Sequence, residues 1–283
     1  MSGLLRLLRR WSPGTLSGPW SIPDDPGDFP VFLLMGQSNM AGHGCIRPGD
    51  PWRKGDRSPV PGVLVLGGQG TLKCPRPRGW TRWRPAAHPL HLNQGSAGFG
   101  LGLPFAVQLL GDTHATRVGL VPAAWGGAGI DTLGPGTPLY ENAVHRARLA
   151  ARHGTLAGVL WHQGETDASR DPLVRTHAEK LTRLIKQLRE DLESPRLPFL
   201  IGDLAPFGDD RRKLEAIQRR AQIRAGLRQV AEEDPHAAFV ESEGLTGSDN
   251  VHFDRTSLIE FGKRYAAAFL RAAVPSLPDF SQP

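Results

Sequence analysis

Residues 31–42 read Val31-Phe32-Leu33-Leu34-Met35-Gly36-Gln37-Ser38-Asn39-Met40-Ala41-Gly42. The first five form a continuous apolar run, the pattern of a strand buried on both faces of a parallel sheet. The run stops at a glycine and passes through a short polar turn to a second glycine. A serine placed just past a buried strand presents its hydroxyl above the sheet. The N–H groups of a helix starting there face any negative charge that develops beside it. That is the physics of a nucleophile turn, although Met40 stands where a G-x-S-x-G elbow has its second glycine. Taken alone, the stretch is better explained by Ser38 as a helix N-cap. Its meaning depends on what surrounds it.

Four more apolar runs follow, at residues 117–121, 156–161, 199–201 and 237–240. Pro122 closes the first of these and Pro198 opens the third. Helical periodicity fills the intervals, over residues 139–152, 172–192, 213–230 and 256–273. The second of these carries Leu173, Val174, Leu181, Leu184, Ile185 and Leu188 at spacings of three and four, with Asp171 read as its N-cap and Pro172 as its first helical residue. Strand alternating with helix predicts a three-layer α/β/α domain on a five-stranded parallel sheet, with its chemistry at the C-terminal strand ends. Residues 1–30 read as leader and linker, 31–275 as the domain and 276–283 as a tail. Residues 45–102 read as a loop-rich excursion within the domain, containing a strand at 63–66.

The 283 residues lie within the range of one α/β domain, and 39% hydrophobic with 22% charged residues marks a globular chain. Two cysteines, Cys45 and Cys74, exclude a disulfide scaffold and a Cys-rich zinc module, and leave their own pairing open. No apolar run reaches the length of a membrane span. Arginines interrupt the leucines of the opening MSGLLRLLRRW, so it lacks the apolar core of a signal peptide, and a cytoplasmic protein is expected. The net charge of +6 is concentrated in residues 47–84, where Arg47, Arg53, Lys54, Arg57, Lys73, Arg76, Arg78, Arg82 and Arg84 face only Asp50 and Asp56. A solvated loop is the preferred reading of this segment. The sharper one is a rim that attracts an acidic glycan, with Trp52, Trp80 and Trp83 stacking on sugar. No base-reading helix or nucleic-acid motif accompanies the charge, so neither a nucleic-acid nor a membrane partner is expected. His88 and His91 stand three apart in a Pro-rich loop without nearby Cys or carboxylates, and read as surface or packing residues rather than metal ligands.

Three further segments fall at predicted strand ends. The first is Trp125-Gly126-Gly127-Ala128-Gly129, whose glycines let backbone N–H groups approach an anion closely. Trp161-His162-Gln163-Gly164-Glu165-Thr166-Asp167 contains an amide, Gln163, able to donate to an oxyanion. Asp249-Asn250-Val251-His252 spaces a carboxylate and an imidazole so that one turn lets Asp249 orient His252. Each alone has a bland alternative: a turn, a polar loop, a helix cap.

Together and in this order, G-Q-S-N-M-A-G, G-G-A-G, W-H-Q-G-E-x-D and D-x-x-H resemble the SGNH (GDSL-like) hydrolase superfamily. Within it the chain is similar to the carbohydrate acetylesterase branch, which includes sialate O-acetylesterases and plant-type acetylxylan esterases. The resemblance runs from about residue 31 to about 270 and implies a flavodoxin-like three-layer fold. It implies a serine esterase for acetylated sugars, needing neither cofactor nor metal, with a small-molecule or oligosaccharide ester as its partner. Ser38 matches the nucleophile, His252 the general base and Asp249 its orienting acid. The oxyanion hole would use the N–H groups of Ser38 and Gly127 and the side chain of Gln163. Gln37, Asn39, Gly126, Glu165 and Asp167 fall at motif positions and take supporting or substrate-contacting roles. Ala128 departs from the hydroxylic residue often found there, and Leu101 from an expected proline; both bear on the substrate pocket. The competing readings are an esterase of non-carbohydrate acyl esters on the same machinery, and a non-catalytic glycan-binding module.

Overall fold

The computed structural model of the chain describes residues 16–43, 45–67, 81–91, 97–205 and 214–273. All five strands expected in the sheet are present, and two more join them: the one expected at 63–66 within the excursion and one not expected, at 83–85. The strands are β1 (Pro30–Gly36), β2 (Val63–Leu66), β3 (Trp83–Pro85), β4 (Val118–Pro122), β5 (Thr155–His162), β6 (Phe199–Gly202) and β7 (Ala237–Val240). They form one sheet in the order β3-β2-β4-β1-β5-β6-β7. Every neighbouring pair is parallel except β2 with β3. The sheet therefore has seven strands, not five. The run at 63–66 belongs to the sheet rather than to a loop excursion. β3 is three residues long and ends in proline, too short for a period to show and confined to an edge, where proline removes no needed donor.

The helices are α1 (Ser38–Ala41), α2 (Gly102–Asp112), α3 (Ile130–Leu133), α4 (Pro138–Ala150), α5 (Asp171–Asp191), α6 (Leu214–Glu233) and α7 (Arg255–Ala273). Alternation along β1 sets the layers. Val31, Leu33 and Met35 point into the core formed with α4, α5 and α6, while Phe32 and Leu34 point into the core formed with α2 and α7. At the start of α5, Asp171 is already the first helical residue. The cap is the extended Arg170, which makes no side-chain cap bond, so the expected Asp171 cap is displaced by one residue. α6 is described from Leu214, one residue after the expected start, and runs three residues beyond the expected end.

The segment expected as linker is packed where it is described. Phe29 is fully buried, the indole of Trp20 donates to the Val60 carbonyl (3.1 Å), and Arg117 reaches back to Gly18 O (2.8 Å) and Ser21 O (3.0 Å). Residues 1–15, Cys74 and the tail 276–283 lie outside the described residues. Cys45 is buried with a free thiol. None of the described helices is long and apolar enough to cross a membrane.

Candidate active site

β1 ends at Gly36, whose φ is +131°. A Cβ there would lie 2.0 Å from the His162 carbonyl oxygen, so only glycine lets the end of β1 close against the end of β5. The next N–H, that of Gln37, donates to that same carbonyl (2.9 Å). Gln37 is the N-cap of α1 and Ser38 its first residue, so Ser38 is not a cap. α1 lasts one turn before Gly42 closes it in the left-handed conformation. Ser38 opens onto a pocket of about 450 Å³, lined also by Gln37, His43, Gly127, Glu165, Thr166, Val251 and His252. These residues come from the C-terminal ends of β1, β4 and β5 and from the loop before α7, where a parallel sheet places its site.

His252 is held from behind. Its Nδ1 lies 2.8 Å from Asp249 Oδ2, and Asp249 Oδ1 accepts the backbone N–H groups of Val251 and His252, each at 2.7 Å. Burial works against the ionised carboxyl, but the bonds from the imidazole and the two N–H groups outweigh it and hold Asp249 below the usual aspartate range. With Nδ1–H directed at the carboxylate, Nε2 keeps its lone pair. The Ser248 N–H closes the loop on the His252 carbonyl (2.8 Å), and Gly247 bridges Phe253.

Asn39, fully buried, joins the Ser38 turn to this loop. Its Oδ1 accepts the Phe253 N–H (3.0 Å), and its Nδ2 donates to the Val251 carbonyl (3.1 Å) and to Glu165 Oε1 (2.5 Å). The backbone groups on either side of His252 are therefore pinned to the residue that follows Ser38. Glu165 Oε1 also lies 3.1 Å from Nε2 of the buried His162. Burial raises the Glu165 pKa, but the neighbouring imidazole and the amide of Asn39 prevail and keep the carboxyl below its usual value.

Gln163 and Asp167 form a second layer under the glycine loop. Gln163 Nε2 faces Ala128 O (3.1 Å), Gln37 Oε1 (3.2 Å) and Asp167 Oδ2, while its Oε1 lies 2.9 Å from His177 Nε2. Asp167 accepts the Ile130 N–H (3.1 Å), and burial raises its pKa more than the bonds from Gln163 and Ile130 lower it. Thr166 Oγ1 donates to the Gly127 carbonyl (3.2 Å). Gly127 has a φ of +73°, with open space where a Cβ would stand. The turn that includes Gly126 closes with the Ala128 N–H on Trp125 O (3.1 Å).

The structure thus brings Ser38, His252, Gly127, Gln37 and Glu165 to one pocket, with Asp249 directly behind His252. Asn39, Gln163 and Asp167 lie beneath it, and Gln163, fully buried, does not line it. Residues not singled out from the sequence include His162, His177, Thr166 and Val251. His177 sits on the buried stripe of α5 between Val174 and Leu181, so helical spacing was the signal that pointed it inward.

Of the expected basic rim, Arg47, Arg53, Lys54, Arg57 and Arg82 are exposed among the described residues, but its tryptophans depart from the expectation. Trp83 is 6% exposed and packs edge-on against Phe29 with ring centroids 5.0 Å apart, so it offers no face to a sugar. Trp52 is half-buried, with Arg57 5.6 Å from its ring centroid. Trp80, Lys73, Arg76 and Arg78 lie outside the described residues. His88 and His91 are buried, and no group of three or more His, Cys, Asp or Glu clusters as metal ligands among the described residues.

The chain is similar to known proteins over most of its length. A probable carbohydrate esterase of Arabidopsis thaliana is 32% identical over 253 residues, covering 85% of this chain and 90% of the relative. The crystal structure of that Arabidopsis protein superposes with a TM-score of 0.71 at 28% identity, covering 87% of this chain and 99% of the other. A carbohydrate acetylesterase from Xanthomonas citri shares the fold at 22% identity, with a TM-score of 0.66 over 90% of this chain and 58% of the other. The family model for "carbohydrate esterase, sialic acid-specific acetylesterase" matches residues 28–271, from just before β1 to the last turns of α7. The chain belongs to this carbohydrate esterase family, and the protein is an esterase.

Proposed function

We propose that the protein removes O-acetyl groups from carbohydrates through an acetyl-enzyme on Ser38. The observation that carries this reading is that Ser38 shares one pocket with His252, whose Nδ1 is tied to Asp249 at 2.8 Å. In this mechanism His252 Nε2 takes the Ser38 proton as Oγ attacks the acetyl carbonyl. The oxyanion develops against the N–H groups of Ser38 and Gly127. As the first residue of a helix Ser38 has an unfilled N–H, and neither N–H makes a backbone hydrogen bond among the described residues. Collapse of the tetrahedral intermediate expels the sugar oxygen, which takes the proton from His252. Water activated by the same imidazole then releases acetate and restores Ser38.

The pocket also bears on the sugar. Of the described residues that line it, Glu165 is a carboxylate and none is Lys or Arg. That lining favours a neutral acetylated sugar over an acidic one such as an O-acetylated sialate. The test is product analysis on acetylated neutral mono- and oligosaccharides, O-acetyl sialate and longer acyl esters, with wild type and Ser38→Ala. Acetate release from the neutral sugars that vanishes in Ser38→Ala supports the reading. Unchanged activity in Ser38→Ala overturns the mechanism, and preference for the sialate overturns the substrate choice.

A further inference from the structure

We infer that Gln37, not Gln163, supplies the side-chain hydrogen bond to the oxyanion. The inference rests on the serine-esterase reading above. Two backbone groups fix how the two amides are turned. The Ala128 carbonyl can only accept, so the Gln163 nitrogen must face it (3.1 Å). The Thr166 N–H can only donate, so the Gln37 oxygen must face it (3.2 Å).

With those orientations set, the donors can be counted. The two protons of Gln163 Nε2 already meet Ala128 O, Gln37 Oε1 and the Asp167 carboxylate, and its side chain is fully buried. It has no proton left for a substrate. Gln37 is the reverse. Its Oε1 is taken twice, by Gln163 Nε2 (3.2 Å) and the Thr166 N–H, while its Nε2 has no acceptor among the described residues. Gln37 lines the pocket beside Ser38 and Gly127, whose N–H groups are the other two donors. Its Nε2 is not among the buried side-chain atoms left without a partner, so its protons are open to the pocket, where a forming oxyanion can take them.

The second layer then acts through Gln37. His177 Nε2 meets Gln163 Oε1 (2.9 Å), and Gln163 Nε2 meets Gln37 Oε1. Burial pushes His177 down to about 4, so at neutral pH it is uncharged and donates from Nε2 as a neutral imidazole. Each bond in such a chain polarises the next and sharpens the donor at its end. Gln163 is thus a positioning residue.

The experiment compares Gln37→Glu and Gln37→Asn with wild type, Gln163→Ala and Ser38→Ala. Gln37→Glu keeps the acceptor and removes the donors; Gln37→Asn keeps the amide but withdraws it by one methylene. Readouts are kcat, KM, melting temperature, fluorophosphonate labelling of Ser38, and affinity for an acetyl-type boronic acid that mimics the tetrahedral intermediate. Loss of one side-chain oxyanion donor is expected to cut kcat by about 10²–10³ with KM within about threefold, and to weaken the boronic acid in parallel. Adding Gln163→Ala to Gln37→Glu should weaken the boronic acid no further, because Gln163 acts through Gln37. If folded Gln37→Glu and Gln37→Asn keep kcat and boronic-acid affinity within about threefold of wild type, the assignment is overturned. If Ser38→Ala stays active and wild-type Ser38 resists labelling, the esterase reading itself has failed.

Discussion

Replacing Asn39 with alanine tests whether the nucleophile turn and the histidine loop are one mechanical unit. Asn39 is fully buried, and its removal deprives the Phe253 N–H, the Val251 carbonyl and the Glu165 carboxylate of a partner. At about 1 kcal/mol for each neutral bond and about 2 kcal/mol for the one to a carboxylate, the loss is about 4 kcal/mol if nothing relaxes. Water entering the vacated space will recover part of this, leaving about 2–3 kcal/mol. For a chain of this size that lowers Tm by about 4–12 °C. The kinetic effect has a definite direction. The lost bonds bracket His252 at positions 251 and 253, so the freedom gained goes into the approach of His252 to Ser38. Misplacement on the scale of 1 Å costs on the order of 10² in rate. The expected result is kcat down about 10²-fold with KM within about threefold, read from initial rates on an acetyl ester beside a thermal melt. A variant that melts several degrees lower yet keeps kcat within twofold would refute the reasoning, for Asn39 would then hold the fold and not the catalytic geometry.

Three further outcomes follow from the same structure. Asp249→Asn, which leaves the loop in place but no longer fixes the imidazole tautomer, should lower kcat by about 10³–10⁴ and spare KM; a loss below tenfold would mean that Asp249 does not orient His252. Burial holds His88 and His91 down at about 3 and His177 at about 4, whereas unfolded histidine takes its proton near 6.5. Below about pH 6.5 the unfolded chain then binds protons that the native one refuses, so stability is full above that pH and falls as pH drops towards 4. The slope is up to about 1.4 kcal/mol per pH unit for each histidine, and a Tm that stays flat from pH 7 to 5 would contradict it. Burial pushes the Cys45 thiol up to about 11, so the native protein should resist iodoacetamide at pH 8 at this position; alkylation of folded protein within minutes would show the thiol to be open.

Much of the fold was legible because it follows from periodicity. Leu33 and Leu34 face opposite cores, and a run with no polar break, such as 31–35, is what such a strand needs. The two strands left out of the expected sheet fail on length and context: Trp83–Pro85 carries an arginine and a proline in three residues, and 63–66 sits in a Pro-, Gly- and Arg-rich stretch whose composition reads as loop. α2 escaped because glycine opens it and Pro104 interrupts its pattern, which hides its buried face of Leu103, Phe105, Ala106 and Leu109. At the site, residue types and their order pointed to Ser38, Asp249 and His252, whose geometry is local to one turn or one strand end. What a side chain does across the fold was not legible. Gln163 reads as a free donor in a polar loop, but Ala128, Asp167 and Gln37, brought together only by the sheet, engage its protons. Trp83 reads as a stacking platform until Phe29, 54 positions away, is seen packed against it.

The measurement that bears most directly on the account is trapping of the covalent intermediate. Brief mixing with an activated acetyl ester, acid quench and peptide mass analysis should find one acetyl group, on the peptide that carries Ser38. Ser38→Ala should carry none and should release no acetate above the uncatalysed rate. Acetate released at the wild-type rate by Ser38→Ala, or an acetyl group that accumulates on another residue, would contradict it.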